Sequence, residues 1–362
     1  MSQMDLAVRI KHYRRGCRRG TDWLLKQMKE NGAVGPVEER LYYYRLPWTL
    51  ALMGEVSAAN RALDWVRDHM QSDSGAFEGT SPQGIFDERY GSYPLACLLI
   101  GAVLMQRFDV VYPGIPSLLA WQDPESGGVY NTRRDMTETG EQELFPTAQY
   151  GMTMILVNQI DEAVLAGKWM KRVWESQPDT SERLHHVYTR SSGLITDVPT
   201  PQDSLYITRK TDPWQHHFNG GIAAAFLSNL YMATKDGEWL DLAREYQAFS
   251  MTSDPVQFQS MQTCKSGWGS GLLYAITRDK AYYYWTTRLG DWFVSHQYTD
   301  GHWENTHYLN PVPTDADNIE ITAEFVMHLV HIISNVSLPR EYNRDRRHNT
   351  EGVDCGADCG FS

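Results

Sequence analysis

The 362-residue sequence has few of the features that mark disulfide-rich, nucleic-acid-binding or membrane-spanning proteins. Its five cysteines are scattered, so they do not form a disulfide framework. The formal net charge is −12, and binding to a phosphate backbone needs clustered Lys and Arg instead. No uninterrupted apolar run reaches the ~18 residues of a membrane span, and the N-terminus lacks a signal-peptide pattern. We therefore expect a cytoplasmic protein with no nucleic-acid partner and no membrane span.

Motifs that bind nucleotides or carry a nucleophilic serine are also missing from the sequence. It has no P-loop, no Rossmann glycine fingerprint and no G-x-S-x-G elbow. The adjacent pairs His185-His186 and His216-His217 lack the i, i+4 spacing of a zinc-binding helix, and neighbours on a strand point to opposite faces. We expect structural or hydrogen-bonding roles for these histidines, no metal site and no cofactor.

Aromatic residues, by contrast, are abundant, with 12 Trp, 20 Tyr and 11 Phe. Two interpretations of this content remain open at the level of sequence. The rings fill a large core, or they line a cavity for a small hydrophobic or ring-shaped ligand.

Helical periodicity dominates the chain and predicts twelve helical segments. Even-numbered segments are small and apolar nearly all round, as in Leu95–Leu104, whereas odd-numbered segments are amphipathic and charged. A helix that is apolar on every side is buried on every side, so the alternation predicts an inner ring of six helices within an outer ring of six. The predicted segments are 5–28, 41–53, 55–70, 90–106, 115–121, 147–158, 161–175, 217–233, 238–249, 267–276, 280–296 and 316–334.

Two stretches depart from this helical pattern. The residues near 185–210 alternate in the manner of strands around two prolines, which predicts a small inserted β-hairpin. Beyond residue 338 the composition collapses to Arg, Asn, Asp and Gly. We therefore predict one toroid domain over 1–338 and a disordered tail over 339–362, in which Cys355 and Cys359 have no assigned role.

Glutamine-to-aromatic junctions recur after the odd segments, at Gln71–Phe77, Gln122–Tyr130 and Gln297–Trp303. The last of these, with the sequence QYTDGHW, fits the Q-x-x-x-G-x-W junction of terpenoid cyclases and protein prenyltransferases. Over about residues 5–335 the chain therefore resembles the (α/α)6 toroid superfamily, an architecture shared by helical-barrel glycosidases and sugar 2-epimerases. The resemblance implies an all-α, single (α/α)6 barrel, in which these glutamines and aromatics stabilise the junctions.

The sequence also departs from those families. The DDxxD motif of class I terpene synthases is absent, and the zinc ligands of protein prenyltransferases are not recognisable. The run Asp315-Ala316-Asp317-Asn318 resembles the DxDD motif of class II cyclases, with Asn in place of the last Asp. Because the middle Asp of that motif protonates an alkene, the resemblance makes Asp317 a candidate acid, although a helix N-cap explains these residues equally well.

The loops that enter the inner helices of such a barrel gather at one mouth, where helix N-termini favour anionic groups. Acids, bases and aromatics from six separate segments are predicted to converge there, and some of them have the alternative role of ordinary caps or rim residues. The catalytic candidates are Asp317, Glu320, Asp315, Glu324, His217 and Asp87; the substrate-binding candidates are Tyr43, Trp48, Arg89, Tyr90, Tyr150, Trp214, Asn219 and Trp268.

One face of the last helix carries Glu320, Glu324, His328 and His331, spaced at i, i+4, i+8 and i+11. If the helix belongs to the inner ring, this polar stripe lines the lumen, and an enclosed carboxyl group there tends to have a raised pKa and to act as a general acid. If the helix is peripheral, the stripe is its solvent-exposed face.

Three functional hypotheses follow. The first is a cofactor-independent cyclase or isomerase of small-molecule metabolism, of terpenoid or polyketide type, with Asp317, Glu320 or Glu324 as the acid. The second is a carbohydrate-active enzyme, either a glycoside hydrolase with Asp87 and Glu320 as paired carboxylates or a sugar epimerase with His217 as its base. The third is a toroid that serves as a scaffold. The sequence does not specify an oligomeric state.

Overall fold

A computed structural model describes residues 5–79, 89–198, 203–305 and 312–337. Asp87 and the tail predicted over 339–362 lie outside the described residues, which form twelve α-helices. They are α1 Leu6–Gln27, α2 Leu46–Leu52, α3 Val56–His69, α4 Ser92–Leu104, α5 Phe108–Leu119, α6 Leu144–Leu156, α7 Ile160–Glu175, α8 Phe218–Thr234, α9 Gly237–Thr252, α10 Ser266–Thr277, α11 Lys280–Ser295 and α12 Asp315–Val336.

The even-numbered helices form a closed inner ring. Contacts run from α2 to α4, α6, α8, α10 and α12 in turn, and α12 packs back against α2. These helices are buried around most of their circumference, as the all-apolar pattern predicts: every residue of α8 from Phe218 to Ser228 is buried. The odd-numbered helices pack outside them, so the predicted (α/α)6 barrel is confirmed.

Helix α5 differs most from its predicted range. The structure begins it at Phe108 rather than at Ile115, and the helix includes Pro113 and Pro116. Proline has no N–H group and ordinarily ends a helix, so the sequence pattern underestimated its length. Helix α2 is also shorter than predicted because the 3-10 turn Arg40–Tyr42 precedes it.

The recurrent glutamines join neighbouring outer helices through their side-chain amides. Gln71 Nε2 donates to the carbonyl of Val110 in α5 at 2.9 Å, and Gln122 Nε2 donates to Glu162 in α7 at 3.0 Å. Gln297 Nε2 donates to Gly16 in α1 at 2.9 Å, which links the last outer helix to the first. Each junction therefore joins two successive outer helices.

The predicted β-hairpin is present and is part of a larger insertion. The hairpin pairs Val187–Thr189 with Gly193–Leu194 in antiparallel fashion, and its first strand also pairs with Gln142–Glu143. Two further strands, Arg183–His185 and Ile207–Arg209, pair with each other. These strands cover the entrances of α6 and α8 and place His186 beside the segment that leads into α6.

Among the described residues, α12 alone is long and apolar enough to cross a membrane by length and composition. Its apolar window is 78% buried inside the barrel. Burial explains its hydropathy, because it is a wall of the inner ring.

Candidate active site in the barrel lumen

The polar stripe of α12 lines the lumen. Glu320 and Glu324 are 6% and 3% exposed, and His328 is fully buried. The stripe therefore belongs to an inner helix, as the first of the two sequence interpretations requires.

Two basic residues from other inner helices neutralise this stripe. Arg45 is the N-cap residue of α2, and its Nη1 lies 2.8 Å from Oε1 of Glu320 and also contacts a carboxylate oxygen of Glu324. Lys265 is the N-cap residue of α10, and its Nζ lies 2.6 Å from the other oxygen of Glu324. Since both bases are N-caps, convergence at the inner-helix entrances assembles the cluster.

The two glutamates have opposite protonation tendencies. Burial raises the pKa of Glu320, and the neighbouring Arg45 opposes this rise without cancelling it. Burial acts in the same direction on Glu324, but Arg45 and Lys265 together hold the pKa of Glu324 well below its usual range. Two carboxyl groups one helical turn apart thus have pKa values shifted in opposite directions, and the lowered pKa belongs to the carboxylate that pairs with two cations.

Hydrogen bonds orient the carboxyl group of Glu320. The hydroxyl of Tyr44 donates to Oε1 at 2.5 Å, and Nδ2 of Asn305 lies 3.3 Å from Oε2. Oε1 therefore receives both Tyr44 and Arg45, whereas the described partner of Oε2 is Asn305.

A neutral imidazole lies next to the fixed anion. Nε2 of His328 is 3.2 Å from Oε1 of Glu324, and burial lowers the pKa of His328. Its Nδ1 is buried without a hydrogen-bond partner. The lumen therefore contains a carboxyl group with a raised pKa and an imidazole with a lowered pKa on the same helix.

Aromatic rings enclose this cluster. Trp268 stacks on the ring of His331 with centroids 5.1 Å apart, and Trp48 meets both rings edge-on. Tyr93 accepts a hydrogen bond from Nη2 of Arg45 at 2.8 Å. The abundant aromatics thus pack around this polar cluster as well as filling the rest of the core.

A second buried polar cluster surrounds Glu143, the N-cap residue of α6. Oε1 of Glu143 lies 3.2 Å from Nδ1 of His186, and Oε2 accepts a hydrogen bond from Asn131 at 3.1 Å. His186 and His216 are 5.6 Å apart between ring centroids. Arg89 approaches Glu143 at 3.5 Å but pairs more closely with Glu141, at 2.8 Å.

Three aromatic rings connect the two clusters. Phe145 packs against Tyr93 and against Phe218, with centroids 5.1 Å and 5.2 Å away. The ring of Phe218 stacks on His216 and also lies under the Nζ of Lys265, 4.7 Å from its centroid. Both clusters therefore face one aromatic-walled interior.

The structure places the predicted acids differently from one another. Asp317 caps its own helix: its Oδ2 accepts hydrogen bonds from the backbone and hydroxyl of Thr314, at 2.8 Å and 2.7 Å. Asp315 is exposed. Thr314 is the N-cap residue of α12 and the buried Asp317 completes its capping box, while Glu320 and Glu324 lie in the lumen. Asp87 lies outside the described residues.

The predicted base His217 has a structural contact. Its Nε2 lies 2.9 Å from the backbone oxygen of Asp212, and burial lowers its pKa to about 4. Asn219 donates to the hydroxyl of Thr208 at 3.3 Å. Trp214 is half-buried, with a positive φ of 61°.

The predicted aromatic contacts fall into two groups. Trp48, Trp268 and Tyr90 contact the two lumen clusters. By contrast, the hydroxyl of Tyr43 bonds to the backbone of Gly35, and that of Tyr150 donates to Gln122 at 3.0 Å, which places both hydroxyls at loop junctions.

Arg45, Glu143 and His216 belong to the inner-helix entrances predicted to converge, but the catalytic and substrate-binding candidates include none of them and neither Lys265 nor His186, and both histidines were expected to have structural or hydrogen-bonding roles. A usable signal was present for Lys265 and Arg45, because each is a basic residue directly before an apolar inner helix. The strand pairing that brings His186 to Glu143 has no comparable sequence signal.

Two groups of described side chains have the composition and spacing to hold a metal ion. They are Glu143, His186 and His216, and Cys264, Glu324 and His328. In each group the potential ligand atoms lie within 4.8 Å of one another, and all six residues are buried.

Comparison with known proteins supports the fold but gives no family. No protein-family model matches the chain, and no curated protein matches its sequence. The D-mannose isomerase structure superposes with a TM-score of 0.65 at 14% identity, covering 89% of this chain and 97% of that one.

Two further solved structures show the same architecture. A GH76 alpha-mannanase from Bacteroides thetaiotaomicron gives a TM-score of 0.61 at 14% identity, over 92% of this chain and 98% of that one. The type II terpene cyclase MstE from Scytonema gives 0.57 at 12% identity, over 91% and 100%. At these identities the likeness shows the (α/α)6 toroid fold alone, and this fold hosts several chemistries.

Proposed function

We propose that the chain is an enzyme of isomerase or cyclase type that protonates a small molecule inside the barrel, with Glu320 as the general acid. The observation that carries the proposal is the buried stripe of α12, in which Glu324 pairs with both Arg45 and Lys265 whereas Glu320 pairs, among the described residues, with Arg45 alone, and the pKa of Glu320 is accordingly raised and that of Glu324 lowered. The neighbouring solved structures are an isomerase, a hydrolase and a cyclase, which supports an enzymatic role without choosing the reaction.

The surrounding residues suit proton delivery to carbon. With Glu320 protonated, the two positive charges of Arg45 and Lys265 exceed the one negative charge of Glu324, so the groups that would stabilise positive charge developing on the substrate are the aromatic faces of Trp48 and Trp268. Enclosure excludes water, which would otherwise quench such an intermediate. The substrate class we propose is a small hydrophobic or cyclic compound of terpenoid or polyketide type.

Glu320 and Glu324 are poorly arranged to act together as the carboxylate pair of a glycosidase, and Asp87, the partner named for Glu320 in that reaction, lies outside the described residues. Glycosidases place two carboxyl groups about 5 to 10 Å apart, on either side of the scissile bond. Here Glu320 and Glu324 contact the same nitrogen, Nη1 of Arg45, which leaves no room for a sugar linkage between them.

A sugar isomerase or epimerase is the second candidate, and His328 is the observation that favours it. A neutral imidazole with a buried, unpartnered Nδ1 suits removal of a proton next to a carbonyl group. Glu320 would then protonate the neighbouring oxygen or carbon.

The test uses purified protein with two substrate panels, one of aldoses and ketoses and one of prenylated or polyene compounds. Reactions run in D2O and, separately, in H2 18O, and mass spectrometry locates the label. We expect carbon-bound deuterium from one panel, with loss of at least about 100-fold in rate for Glu320→Gln. Loss of activity in His328→Gln on the sugar panel would select the second candidate. Incorporation of 18O without deuterium, or full activity of Glu320→Gln, would contradict the proposal.

A further inference from the structure

We propose that Glu143, His186 and His216 form a binding site for one divalent transition-metal ion. Each residue offers one ligand atom, and these atoms lie within 4.8 Å of one another. All three side chains are buried, at 0%, 0% and 7% exposure. Two imidazoles with one carboxylate are a ligand set that suits Zn²⁺ and similar ions and leaves a fourth position open. The inference is independent of the proposed role of Glu320.

The fold brings these ligands together from three separate segments. Glu143 ends a short strand and pairs with Val187, so the adjacent His186 is fixed beside it. The backbone of His186 is anchored on both sides, by Leu144 and by Tyr206, each at 3.0 Å. His216 lies two residues before α8. The site uses one histidine from each adjacent pair. The expectation that two neighbouring histidines cannot bind one ion therefore does not apply to it.

Within the described part of the chain, the imidazole of His186 makes no hydrogen bond. Both of its ring nitrogens are buried, and neither has a hydrogen-bond partner among these residues. Nδ1 is 3.2 Å from Oε1 of Glu143, which is close enough for an ion pair but not aligned for hydrogen bonding. Buried polar groups are nearly always satisfied, so this ring lacks a partner that a metal ion would supply.

Two neighbouring side chains fix the orientation of the Glu143 carboxylate. Asn131 donates to Oε2 of Glu143 at 3.1 Å, and the hydroxyl of Tyr90 donates to Oε1 at 3.3 Å. Tyr90 has a φ of 69°, a strained conformation for an aromatic residue, and such strain is concentrated at functional sites. Outer contacts of this kind orient metal ligands.

The net charge of the side chains around Glu143 favours binding of a cation. Glu141 and Glu143 contribute two negative charges, and Arg89 contributes one positive charge that lies closer to Glu141 than to Glu143, at 2.8 Å against 3.5 Å. These three side chains therefore have a net charge of −1, and a divalent ion would reverse it to +1. The open coordination position would then attract an oxyanion or hydroxide.

The other group, Cys264, Glu324 and His328, is less suited to a metal. Two cations, Arg45 and Lys265, already pair with Glu324. The Nζ of Lys265 also lies 3.7 Å from the sulfur of Cys264, so a positive charge already lies beside two of the three potential ligands.

The experiment is metal titration of the full chain after removal of metals with a chelator. Zn²⁺ binding is followed by calorimetry, and Co²⁺ binding by its visible absorption. We expect one ion per chain, with Kd raised at least about 100-fold in His186→Gln and in His216→Gln. His185→Gln is the matched control: its buried side chain faces Ile195 instead, with Nδ1 3.1 Å from that carbonyl, and the variant should bind normally.

Circular dichroism and thermal melting verify that each variant is folded, and Glu143→Gln replaces any histidine variant that is not. The proposal would be wrong if the wild-type chain binds neither Zn²⁺ nor Co²⁺, or if these variants bind the metal as well as wild type does. It would also be wrong if a sulfur-to-cobalt charge-transfer band shows that Cys264 is a ligand. None of these measurements depends on turnover, so their outcome is separable from that of the proposed function.

Discussion

At the scale of single residues, Glu324 accounts for the electrostatic balance of the lumen. Its carboxylate contacts Arg45, Lys265 and His328, all of which are buried. A buried ion pair contributes little more to the free energy of unfolding than apolar residues at both positions would. Removing only one partner, however, leaves an uncompensated buried charge. The cluster therefore couples the stability of the barrel to its proposed chemistry.

We predict that Glu324→Gln lowers the free energy of unfolding by about 3–5 kcal/mol, because Lys265 loses its only described carboxylate partner. Urea denaturation at neutral pH measures the loss. The pKa of Glu324 is lowered in the folded state, so its stabilisation is present above the usual value of 4.5 and is lost as the pH falls through the depressed pKa. The difference between wild type and variant should therefore narrow in acid.

An exposed ion pair provides the control for this prediction. Glu238 contacts Lys171 on the outer surface, where its side chain is 44% exposed. Glu238→Gln should change the free energy of unfolding by no more than about 1 kcal/mol. Equal losses in Glu238→Gln and Glu324→Gln would show that burial does not strengthen the inner cluster.

Sequence alone identified the acids of the lumen better than their partners. The stripe from Glu320 to His331 was predictable because i, i+4 spacing is local to one helix. The pairing of Glu324 with Arg45 and Lys265 was not, since it depends on how three helix entrances meet in space. The capping contacts of Asp317 show that a local pattern can also be ambiguous, because the same short sequence fits both a catalytic motif and a helix cap.

At the scale of elements, a glycine allows two inner helices to approach each other closely. A Cβ atom built on Gly221 of α8 would lie 2.4 Å from the backbone carbon of Lys265 and from the backbone nitrogen of Ser266. That distance is too short for any side chain, so Gly221 determines how near the entrance of α10 lies to α8.

We predict that Gly221→Ala displaces Lys265 and costs at least about 2 kcal/mol in unfolding free energy, because the obstructing atoms are backbone. Thermal denaturation measures this loss. Gly237→Ala is the matched control, since nothing lies within 4 Å of its Cβ position at the start of α9. Similar melting temperatures for both variants would contradict the close approach.

The helices themselves were largely predictable, because their apolar periodicity is strong. Most predicted ends lie within about three residues of the observed ones. The start of α5 was not predictable from a pattern that treats Pro113 as an interruption. The pairing of Gln142–Glu143 with the inserted hairpin was also missed, because strands of two or three residues carry too little periodicity to reveal a partner.

At the scale of the whole molecule, ring closure brings the site together. The glutamine junctions link successive outer helices, and Gln297 joins the end of the barrel to α1. Closure directs the entrances of α2, α6 and α10 to one interior, where their N-cap residues are Arg45, Glu143 and Lys265. The alternation of apolar and amphipathic segments predicted this ring. Which side chains meet inside it could not be predicted, because their contacts join helices that are far apart in sequence.

The central claim is that the enclosed lumen keeps Glu320 protonated when an exposed glutamate is ionised. Its folded-state pKa is raised, so the protein loses stability as the pH increases from the usual value of 4.5 through the raised pKa, and activity should fall over the same range. Glu320→Gln removes the titrating group while keeping a similar shape.

The most direct measurement is the infrared difference spectrum of wild type minus Glu320→Gln, recorded against pH. The carboxylic C=O stretch in this difference reports the protonated form of Glu320 without any need for a substrate. We predict that the band persists above pH 4.5 and disappears only at higher pH. A band already lost at or below that value would show that Glu320 is an ordinary anion, and the account would be wrong.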